Sequence, residues 1–232
     1  DEGGWETIGP SALAYDGYAR PREASQSDIE QIEQSFVDAS RRAMSAGFDF
    51  IEIHAAHGYL LHEFLSPLSN ARTDGFGGSL ENRARVLLRI VQSVRREIGE
   101  DVPLLVRLSA TDWLEDGLSI DDTVQIASWL REQGVDLIDV SSGGNAPAPI
   151  EVGPGYQVPF AAAVRQRSSI PTAAVGLILD PGQAEQILLT GQADVVLLGR
   201  EVLRDPNFPL RAARELRYKN ADTHDIVARF LA

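Results

Sequence analysis

The chain contains no cysteine and a single lysine, Lys219. The absence of cysteine excludes disulfide bonds, a thiolate nucleophile and cysteine-ligated metal centres from this chain. Schiff-base catalysis in an α/β enzyme needs a lysine at the end of a strand. Because Lys219 lies in the C-terminal tail, we do not expect that chemistry either.

Long apolar runs and positive charge are also scarce. No apolar run approaches the roughly 18 residues needed to span a bilayer, and the N-terminus, Asp-Glu-Gly-Gly-Trp, lacks the basic and then apolar pattern of a signal peptide. The formal net charge is −13, so nucleic acid and anionic membrane surfaces would both be repelled. We therefore expect neither a nucleic acid nor a membrane as a partner, and we predict a cytoplasmic protein.

With 232 residues and 44% hydrophobic content, the chain is large enough for one globular domain with a sizeable core. Hydrophobic periodicity and capping signals predict strands that alternate strictly with helices. The strands are predicted at 48–54, 103–108, 136–141, 171–176 and 193–199; the helices are predicted at 28–46, 80–98, 120–133, 160–167, from 180 onward, and at 207–217. This alternation indicates an α/β fold with a parallel sheet made of βα units.

A closed (β/α)8 TIM barrel needs eight strands and typically about 250 residues, so the predicted strands cannot close one. We expect a fragment of such a barrel, in which residues 1–24 form a loop entering the barrel, 25–217 form the βα units, and 218–232 form a tail with a helix near 225–231. Open parallel edges and an exposed apolar interior favour aggregation. A missing N-terminal barrel segment or a complementary chain is therefore expected to cover them; a complete open sheet is the alternative.

The stretch from Phe48 to Arg85 organises the chain. Polar and apolar residues alternate in its strand, which directs Glu52 and His54 towards the barrel interior. His54, His57 and Tyr59 then leave the carboxyl end of the strand, where α/β enzymes keep their catalytic residues. Imidazoles can donate hydrogen bonds to a substrate oxygen, and a phenol can act as a proton donor.

Other interpretations of these side chains remain open. His54 and His57 also fit a hydrogen-bonded interior pair, or a metal pair that would need a third ligand. His62 and Glu63 are near in sequence but are expected on a following helical turn, so we predict no metal site and assign no role to His62. Considered alone, Tyr59 fits ordinary packing at a loop.

Arg107 stands near the end of an otherwise apolar strand. It fits either an interior salt bridge, to Glu52 or to Asp139, or a fixed cation in a functional site. Its residue type and position do not decide between these two roles.

Gly176 and the pair Gly199 and Arg200 follow the last two predicted strands. In a barrel of this type, the corresponding loops often bind phosphate through backbone N–H groups at a helix start, with a guanidinium beside them. Glycines after strands are also common in ordinary turns. Their place in the order of strands favours a phosphate site.

From His54 to Arg83 the sequence reads HAAHGYLLHEFLSPLSNARTDGFGGSLENR. It resembles the flavin-dependent ene-reductases of the Old Yellow Enzyme family. In that family a strand-end His-x-x-His-x-Tyr is followed by Ser-Pro-x-x-Asn-x-Arg-x-Asp-x-(Tyr/Phe)-Gly-Gly-Ser-x-Glu-Asn-Arg. Nearly every fixed position is present, and the resemblance covers roughly residues 3 to 217. It implies that residues 25–217 form the C-terminal part of the barrel, with its fourth to eighth strands.

The resemblance also implies a chemistry. FMN would be the cofactor and NAD(P)H the co-substrate, and the flavin would reduce the C=C bond of a small enone-type or nitro substrate. His54 and His57 would bind the activating oxygen of the substrate, and Tyr59 would protonate its α-carbon.

For the cofactor, the resemblance places Arg107 against the flavin N1 and C2 carbonyl, and places Gly176, Gly199 and Arg200 at its phosphate. The family's first three strands, which supply further flavin contacts, are not in this chain. The C-terminus also lacks the Arg-Gly-Trp-like ending with which some members reach into a neighbouring subunit. We expect a homo-oligomer.

Two rival functions remain open at this point. A non-redox barrel enzyme with a phosphorylated substrate would share the phosphate loops. A catalytically incompetent half-barrel that acts as an assembly or regulatory module would explain the missing strands, although not the intact histidine and tyrosine set.

Overall fold

The structure is a computed structural model, and it describes residues 4–218. The predicted tail helix at 225–231 lies outside the described residues. In chain order the elements are β1 (Ile8–Gly9), β2 (Arg22–Glu23), α1 (Gln26–Ser45), β3 (Ile51–Ala55), α2 (Leu60–Leu65), α3 (Leu80–Ile98), β4 (Leu104–Ser109), α4 (Ile120–Glu132), β5 (Leu137–Ser141), α5 (Val158–Ser168), β6 (Thr172–Ala174), α6 (Pro181–Leu189), β7 (Val195–Val196), α7 (Arg200–Arg204) and α8 (Phe208–Glu215).

Strands β3 to β7 form one parallel sheet in sequence order. Each of them is followed by a helix, which confirms the α/β fold of repeated βα units that the sequence predicts. The register places His54 opposite Arg107, and Arg107 opposite Asp139. These three residues form a row across one face of the sheet, which we call the polar row.

Alternate residues of the sheet supply the core. Strand side chains point to opposite faces in turn, and the buried apolar residues of β3 and β4 are Ile53, Ala55, Leu104, Val106 and Leu108. These residues share one apolar cluster with the inner positions of α3, which include Leu87, Val91 and Val94. Burial of that many aliphatic side chains, at roughly 25 cal/mol per Å² of apolar surface, fixes the sheet against its helices.

Helix α3 begins and ends where its capping residues predict. The Ser79 hydroxyl accepts a hydrogen bond from the Asn82 N–H at the start, and Gly99 at the end has a φ of 81°, which favours glycine. Ser25 caps α1 in the same way, in a capping box with Asp28. Local chemistry therefore sets the start of α1 and both ends of α3.

Residues 1–24, predicted as a loop, also contain the short parallel strands β1 and β2. Arg72 holds this segment, because its guanidinium donates to the carbonyl oxygens of Pro10 and Ala24 at 2.9 and 2.7 Å. The loop after α2 is thereby tied to the N-terminal segment at the mouth of the sheet.

Two short helices, α2 and α7, are not among the predicted elements, although a helical turn is expected around His62. Both directly follow a strand and its turn, at the carboxyl edge of the sheet. Within residues 4–218, no helix is both long enough and apolar enough to cross a bilayer.

Candidate active site

A tight turn after β3 carries the predicted catalytic side chains. His57 and Gly58 both have positive φ, 59° and 74°, and the Tyr59 N–H donates to the Ala56 carbonyl oxygen at 3.2 Å. These are features of a type I′ turn. A Cβ on Gly58 would lie 2.1 Å from the Gly144 carbonyl oxygen, so only glycine fits this position.

The turn brings His54, His57 and Tyr59 together. The ring centroids of His54 and His57 are 5.1 Å apart, and those of His54 and Tyr59 are 5.5 Å apart. Both histidines are partly buried, whereas Tyr59 is 66% exposed. The three side chains therefore form one cluster, and its phenol faces outward.

Two serines hold His57 from neighbouring strands. The Ser109 hydroxyl accepts from the His57 backbone N–H at 3.0 Å, and the Ser141 hydroxyl lies 2.8 Å from Nε2 of the ring. The Ser141 hydroxyl is also placed to donate to the Leu108 carbonyl oxygen at 3.1 Å. Because a hydroxyl has one proton, Ser141 either donates to Leu108 and accepts from Nε2–H, or donates to Nε2 and leaves the proton on Nδ1.

The electrostatic setting keeps both histidines neutral near pH 7. Burial lowers the pKa of His57 to about 4, and the Arg107 charge and the neighbouring histidine rings add to the effect. Burial and the Arg107 charge lower the pKa of His54 as well. A neutral imidazole retains one N–H donor, so each ring can still donate one hydrogen bond.

Arg107 forms a salt bridge inside the sheet, and its partner is Asp139. Nε lies 2.9 Å from the carboxylate, which is 1% exposed. Burial raises the pKa of Asp139 to about 7, with the Arg107 charge acting against it and the Glu52 charge adding to it. The sequence allowed either Glu52 or Asp139 as the partner of Arg107, and in the structure the partner is Asp139.

A cavity of about 320 Å³ lies at the carboxyl edge of the sheet, beside the polar row. It joins residues from the turn, the sheet and the last two strand ends. Among the predicted site residues, those that line it are His57, Arg107, Gly176, Gly199 and Arg200. His54 and Tyr59 are not among the lining residues; the His54 ring contacts that of His57, and the Tyr59 ring contacts that of His54.

Gly176 is fixed at the cavity wall by Gln157. Its φ is 125°, and a Cβ there would lie 2.9 Å from the Gln157 amide nitrogen. That buried amide accepts from the Ser142 hydroxyl at 2.7 Å and donates to the Val175 carbonyl oxygen at 3.0 Å. Gln157 thus ties the ends of β5 and β6 together, a role that the sequence did not reveal.

Arg200 presents an unpaired cation at the same wall. Among the described residues its side chain has no ion-pair partner, although Glu201 lies next to it in the chain. The Glu201 carboxylate is engaged by Arg204 at 3.3 Å and by Arg211 at 3.8 Å. At Gly199 a Cβ would meet nothing within 4 Å, so steric crowding does not explain that glycine.

A second buried polar group, which was not predicted from the sequence, lies behind the turn. His62 and Asp112 are both fully buried, with Nε2 3.1 Å from Oδ1. A histidine within the apolar run of α2 was the one available signal. Within residues 4–218, no group of three or more potential ligand side chains is arranged to hold a metal ion.

Comparison with known proteins identifies the family. A model of the NADH:flavin oxidoreductase / NADH oxidase family matches residues 8–219. The NADPH dehydrogenase of Geobacillus thermodenitrificans (strain NG80-2) is 54% identical over 215 residues, which is 92% of this chain and 63% of that protein. The chain thus spans less than two thirds of the length of the curated relatives it matches.

Solved structures agree on the fold. A 2-naphthoyl-CoA reductase in complex with 2-naphthoyl-CoA is 30% identical, with a TM-score of 0.85 over 90% of this chain and 33% of that one. A morphinone reductase is 27% identical, with a TM-score of 0.76 over 91% of this chain and 60% of that one. The five parallel strands are thus part of a (β/α)8 TIM barrel. The chain therefore belongs to the NADH:flavin oxidoreductase / NADH oxidase family, the Old Yellow Enzyme family that its stretch from His54 to Arg83 predicts.

Proposed function

We propose that this protein is an FMN-dependent oxidoreductase that uses NAD(P)H to reduce the C=C bond of α,β-unsaturated carbonyl or nitro compounds. The observation that carries the proposal is the convergence of His54, His57 and Tyr59 beside a cavity that also borders Arg107 and Arg200. Family membership supports the flavin chemistry. The residue types at the turn support the substrate class.

The cavity fits a flavin mononucleotide, which has an anionic phosphate and a ring that gains negative charge on reduction. Three arginines line the cavity: Arg107 in the sheet, and Arg200 and Arg204 on α7 after the last strand. Arg204 is paired with Glu201, whereas Arg200 is not. Arg200, with the backbone at Gly176 and Gly199, would hold the phosphate, and Arg107 would lie at the ring. When bound, FMN supplies hydride acceptance from NAD(P)H and hydride delivery to the alkene.

The two histidines bind and polarise the substrate oxygen. Each neutral ring has one N–H to donate, and a hydrogen bond to the carbonyl or nitro oxygen stabilises the negative charge that develops there. For His57, the Ser141 hydroxyl sets which nitrogen holds the proton. When Ser141 donates to Nε2, the His57 Nδ1–H becomes free to donate to the substrate.

Tyr59 supplies the proton. Its hydroxyl is exposed at the mouth of the cluster, and its ring contacts His54. A phenol so placed can protonate the α-carbon of the substrate, a general-acid step that typically contributes about 10²- to 10⁴-fold in rate. Arg107 opposes the negative charge that reduction brings into the site.

Residues at or near the carboxyl ends of all five strands, β3 to β7, line the cavity, but the sheet has open edges. Among the described strands, β3 and β7 each pair on one side only. We propose that an N-terminal barrel segment or a complementary chain pairs with them. We also propose that the protein forms homo-oligomers, and that residues 25–217 are the barrel part, between an entering loop (1–24) and a tail (218–232).

A two-step spectroscopic experiment tests the function. The purified protein is saturated with FMN, freed of excess cofactor, and mixed anaerobically with NADPH or NADH, and then with 2-cyclohexen-1-one. We expect flavin absorbance to bleach with the nicotinamide and to return with the enone, together with formation of cyclohexanone. Flavin that is retained and bleached but not reoxidised by enones or nitroalkenes would exclude the proposed substrate class. Protein that retains no flavin would favour the non-catalytic module.

A further inference from the structure

A buried histidine and aspartate pair lies directly behind the turn that carries the catalytic side chains. His62 on α2 and Asp112 after β4 are both 0% exposed, and Nε2 of the ring lies 3.1 Å from Oδ1. Neither of these two atoms has another partner among the described residues, so each depends on the other. Two ionisable groups with no solvent contact are costly unless they satisfy each other, and the proposed chemistry does not use either of them.

The other nitrogen of His62 reaches the turn itself. Its Nδ1 accepts a hydrogen bond from the Gly58 backbone N–H at 3.0 Å. An accepting nitrogen has no proton, so the proton of the neutral ring lies on Nε2 and faces Asp112. The far oxygen of Asp112 accepts from the Ser66 hydroxyl at 2.6 Å and from the Leu118 N–H at 2.7 Å, which fixes the carboxylate on its other side.

The charge on Asp112 agrees with this arrangement. Burial acts to raise its pKa, but hydrogen bonds from His62, Ser66 and the Leu118 N–H outweigh burial and lower the pKa below its ordinary value. The carboxylate is therefore ionised, and its Oδ1 faces the Nε2 proton, with 3.1 Å between Oδ1 and Nε2. Such a carboxylate holds one imidazole tautomer in place, as it does in catalytic triads.

The turn needs this support because its backbone is unusual. Positive φ is uncommon for residues other than glycine, yet His57 adopts it directly before Gly58. Three backbone N–H groups hold the conformation: that of His57 donates to Ser109, that of Gly58 to His62, and that of Tyr59 to Ala56. Only the middle one depends on the protonation state of a side chain.

We propose that His62 and Asp112 are positioning residues: Asp112 keeps His62 in the tautomer that accepts the Gly58 N–H, and the pair thereby fixes the turn that aims His57 and Tyr59. The effect expected on the enone reaction rests on the proposed function. The effect expected on the Gly58 amide does not.

Two substitutions distinguish an effect of the His62 tautomer from an effect of side-chain packing. Asp112→Asn keeps the size of the side chain and can still accept from Ser66 and Leu118, but it turns an amide N–H towards Nε2. The ring proton then moves to Nδ1, where it opposes the Gly58 N–H. His62→Asn places an acceptor oxygen near the position of Nδ1 and is the matched rescue, because it restores the Gly58 hydrogen bond without the ring.

The Gly58 amide can be observed by itself. His57 and Gly58 are the only His-Gly pair in the sequence, so carbonyl-¹³C histidine with ¹⁵N glycine labelling gives a single cross-peak for this amide. We expect its hydrogen-exchange protection to fall at least tenfold in Asp112→Asn and to stay within about threefold of wild type in His62→Asn. Full protection in Asp112→Asn, or equal loss in both variants, would overturn the proposal.

The kinetic test uses Tyr59 as a second site in the flavin-loaded protein. We expect Asp112→Asn to slow reoxidation of the reduced flavin by 2-cyclohexen-1-one at least tenfold, and to slow it clearly less in a Tyr59→Phe background, where the position of the phenol no longer matters. An equal fold-change in both backgrounds would indicate a merely structural role and refute the positioning. If the wild-type protein does not react with the enone, the proposed function fails, and the Gly58 exchange comparison alone decides this inference. If Asp112→Asn does not fold, exchange in His62→Asn and His62→Leu decides it, with loss of protection expected only in the leucine variant.

Discussion

Arg107 and Asp139 lie opposite each other on adjacent parallel strands, with the guanidinium Nε 2.9 Å from the carboxylate. The arginine borders the cavity, whereas the aspartate is buried behind it. Because burial raises the pKa of Asp139 to about 7, this carboxyl is largely protonated on the acid side of neutrality and ionised on the alkaline side. The net charge that the pair presents to the cavity should therefore fall as the pH rises through 7.

This pairing predicts how Asp139 tunes the bound flavin. At pH 8 the ionised carboxylate offsets part of the Arg107 charge, so Asp139→Asn should raise the two-electron midpoint potential by about 30 mV or more, equivalent to about 1.4 kcal/mol. At pH 6 the wild-type carboxyl is already largely protonated, and the difference should shrink. Spectroelectrochemical titration at both pH values measures the shift.

Asp136→Asn is the matched control, because Asp136 is bound to Arg95 at the opposite end of the same strand. It should leave the potential unchanged. An equal shift for Asp139→Asn at pH 6 and pH 8 would argue against titration of this carboxyl.

The free energy of unfolding should depend on pH through two groups that act in opposite directions, the partly buried His57 and the buried Asp139. The pKa of His57 falls from 6.5 to about 4 on folding, so its contribution is present above pH 6.5 and is lost as the pH falls towards 4. The pKa of Asp139 rises from 3.8 to about 7, so its contribution is present below pH 3.8 and is lost as the pH rises towards 7. Between pH 4.5 and 6.5 the two slopes offset each other.

When one group is removed by substitution, the free energy of unfolding should show the pH dependence of the other group alone. Asp139→Asn should make the free energy of unfolding rise more steeply with pH in this window, and His57→Asn should make it fall with pH. The change in slope for a fully coupled group is at most about 1.4 kcal/mol per pH unit. Urea unfolding at pH 5, 6 and 7 measures both, and parallel curves for the variants and wild type would contradict the pKa assignments.

Replacement of Gly58 should destabilise the protein for a steric reason that does not apply at Gly47. Gly47 and Gly58 both have positive φ, so alanine at either one costs about 1–2 kcal/mol of backbone strain. At Gly58 the new Cβ would also lie 2.1 Å from the Gly144 carbonyl oxygen, whereas at Gly47 it would meet nothing within 4 Å. Gly58→Ala should therefore lower the free energy of unfolding by clearly more than Gly47→Ala, as measured by urea denaturation. Equal losses would mean that the turn moves away from Gly144 at little cost.

Much of the fold could be predicted from local signals. The prediction of helix 80–98 is confirmed at both ends, because a serine cap, a glycine stop and the buried positions of one face all agree. Strand ends were predicted less well: 193–199 was expected, but β7 spans only Val195–Val196. This strand has one partner among the described strands, so sheet pairing, which is not local, sets its length.

The candidate site also contains some residues that could be predicted from the sequence and some that could not. His54, His57 and Tyr59 could be located from the sequence because they lie within six residues at a strand end. Asp112 could not, since its partner His62 is distant in the chain and only packing brings them together. Gln157 escaped prediction for the same reason, because its hydrogen bonds run to Ser142 and Val175 on other elements. Long-range polar pairs leave no periodic pattern in a sequence.

The role of Tyr59 gives the sharpest test of the chemistry. Its hydroxyl is proposed to protonate the substrate, a step that the reduction of the flavin by NADPH does not include. Tyr59→Phe should therefore slow reoxidation of the reduced flavin by an enone by about 10²-fold or more, and should leave the rate of flavin reduction within about threefold of wild type. Stopped-flow absorbance resolves the two half-reactions in one protein.

Tyr18→Phe is the control for this substitution, because Tyr18 is 75% exposed and contacts Tyr15 instead of the histidines. It should change neither half-reaction. The phenylalanine at position 59 keeps the ring that contacts His54, so loss of packing cannot explain a selective effect on the enone step. If Tyr59→Phe slows both half-reactions equally, the phenol acts on the cluster as a whole and is not the proton donor, and the proton must reach the α-carbon from solvent or from a neighbouring group.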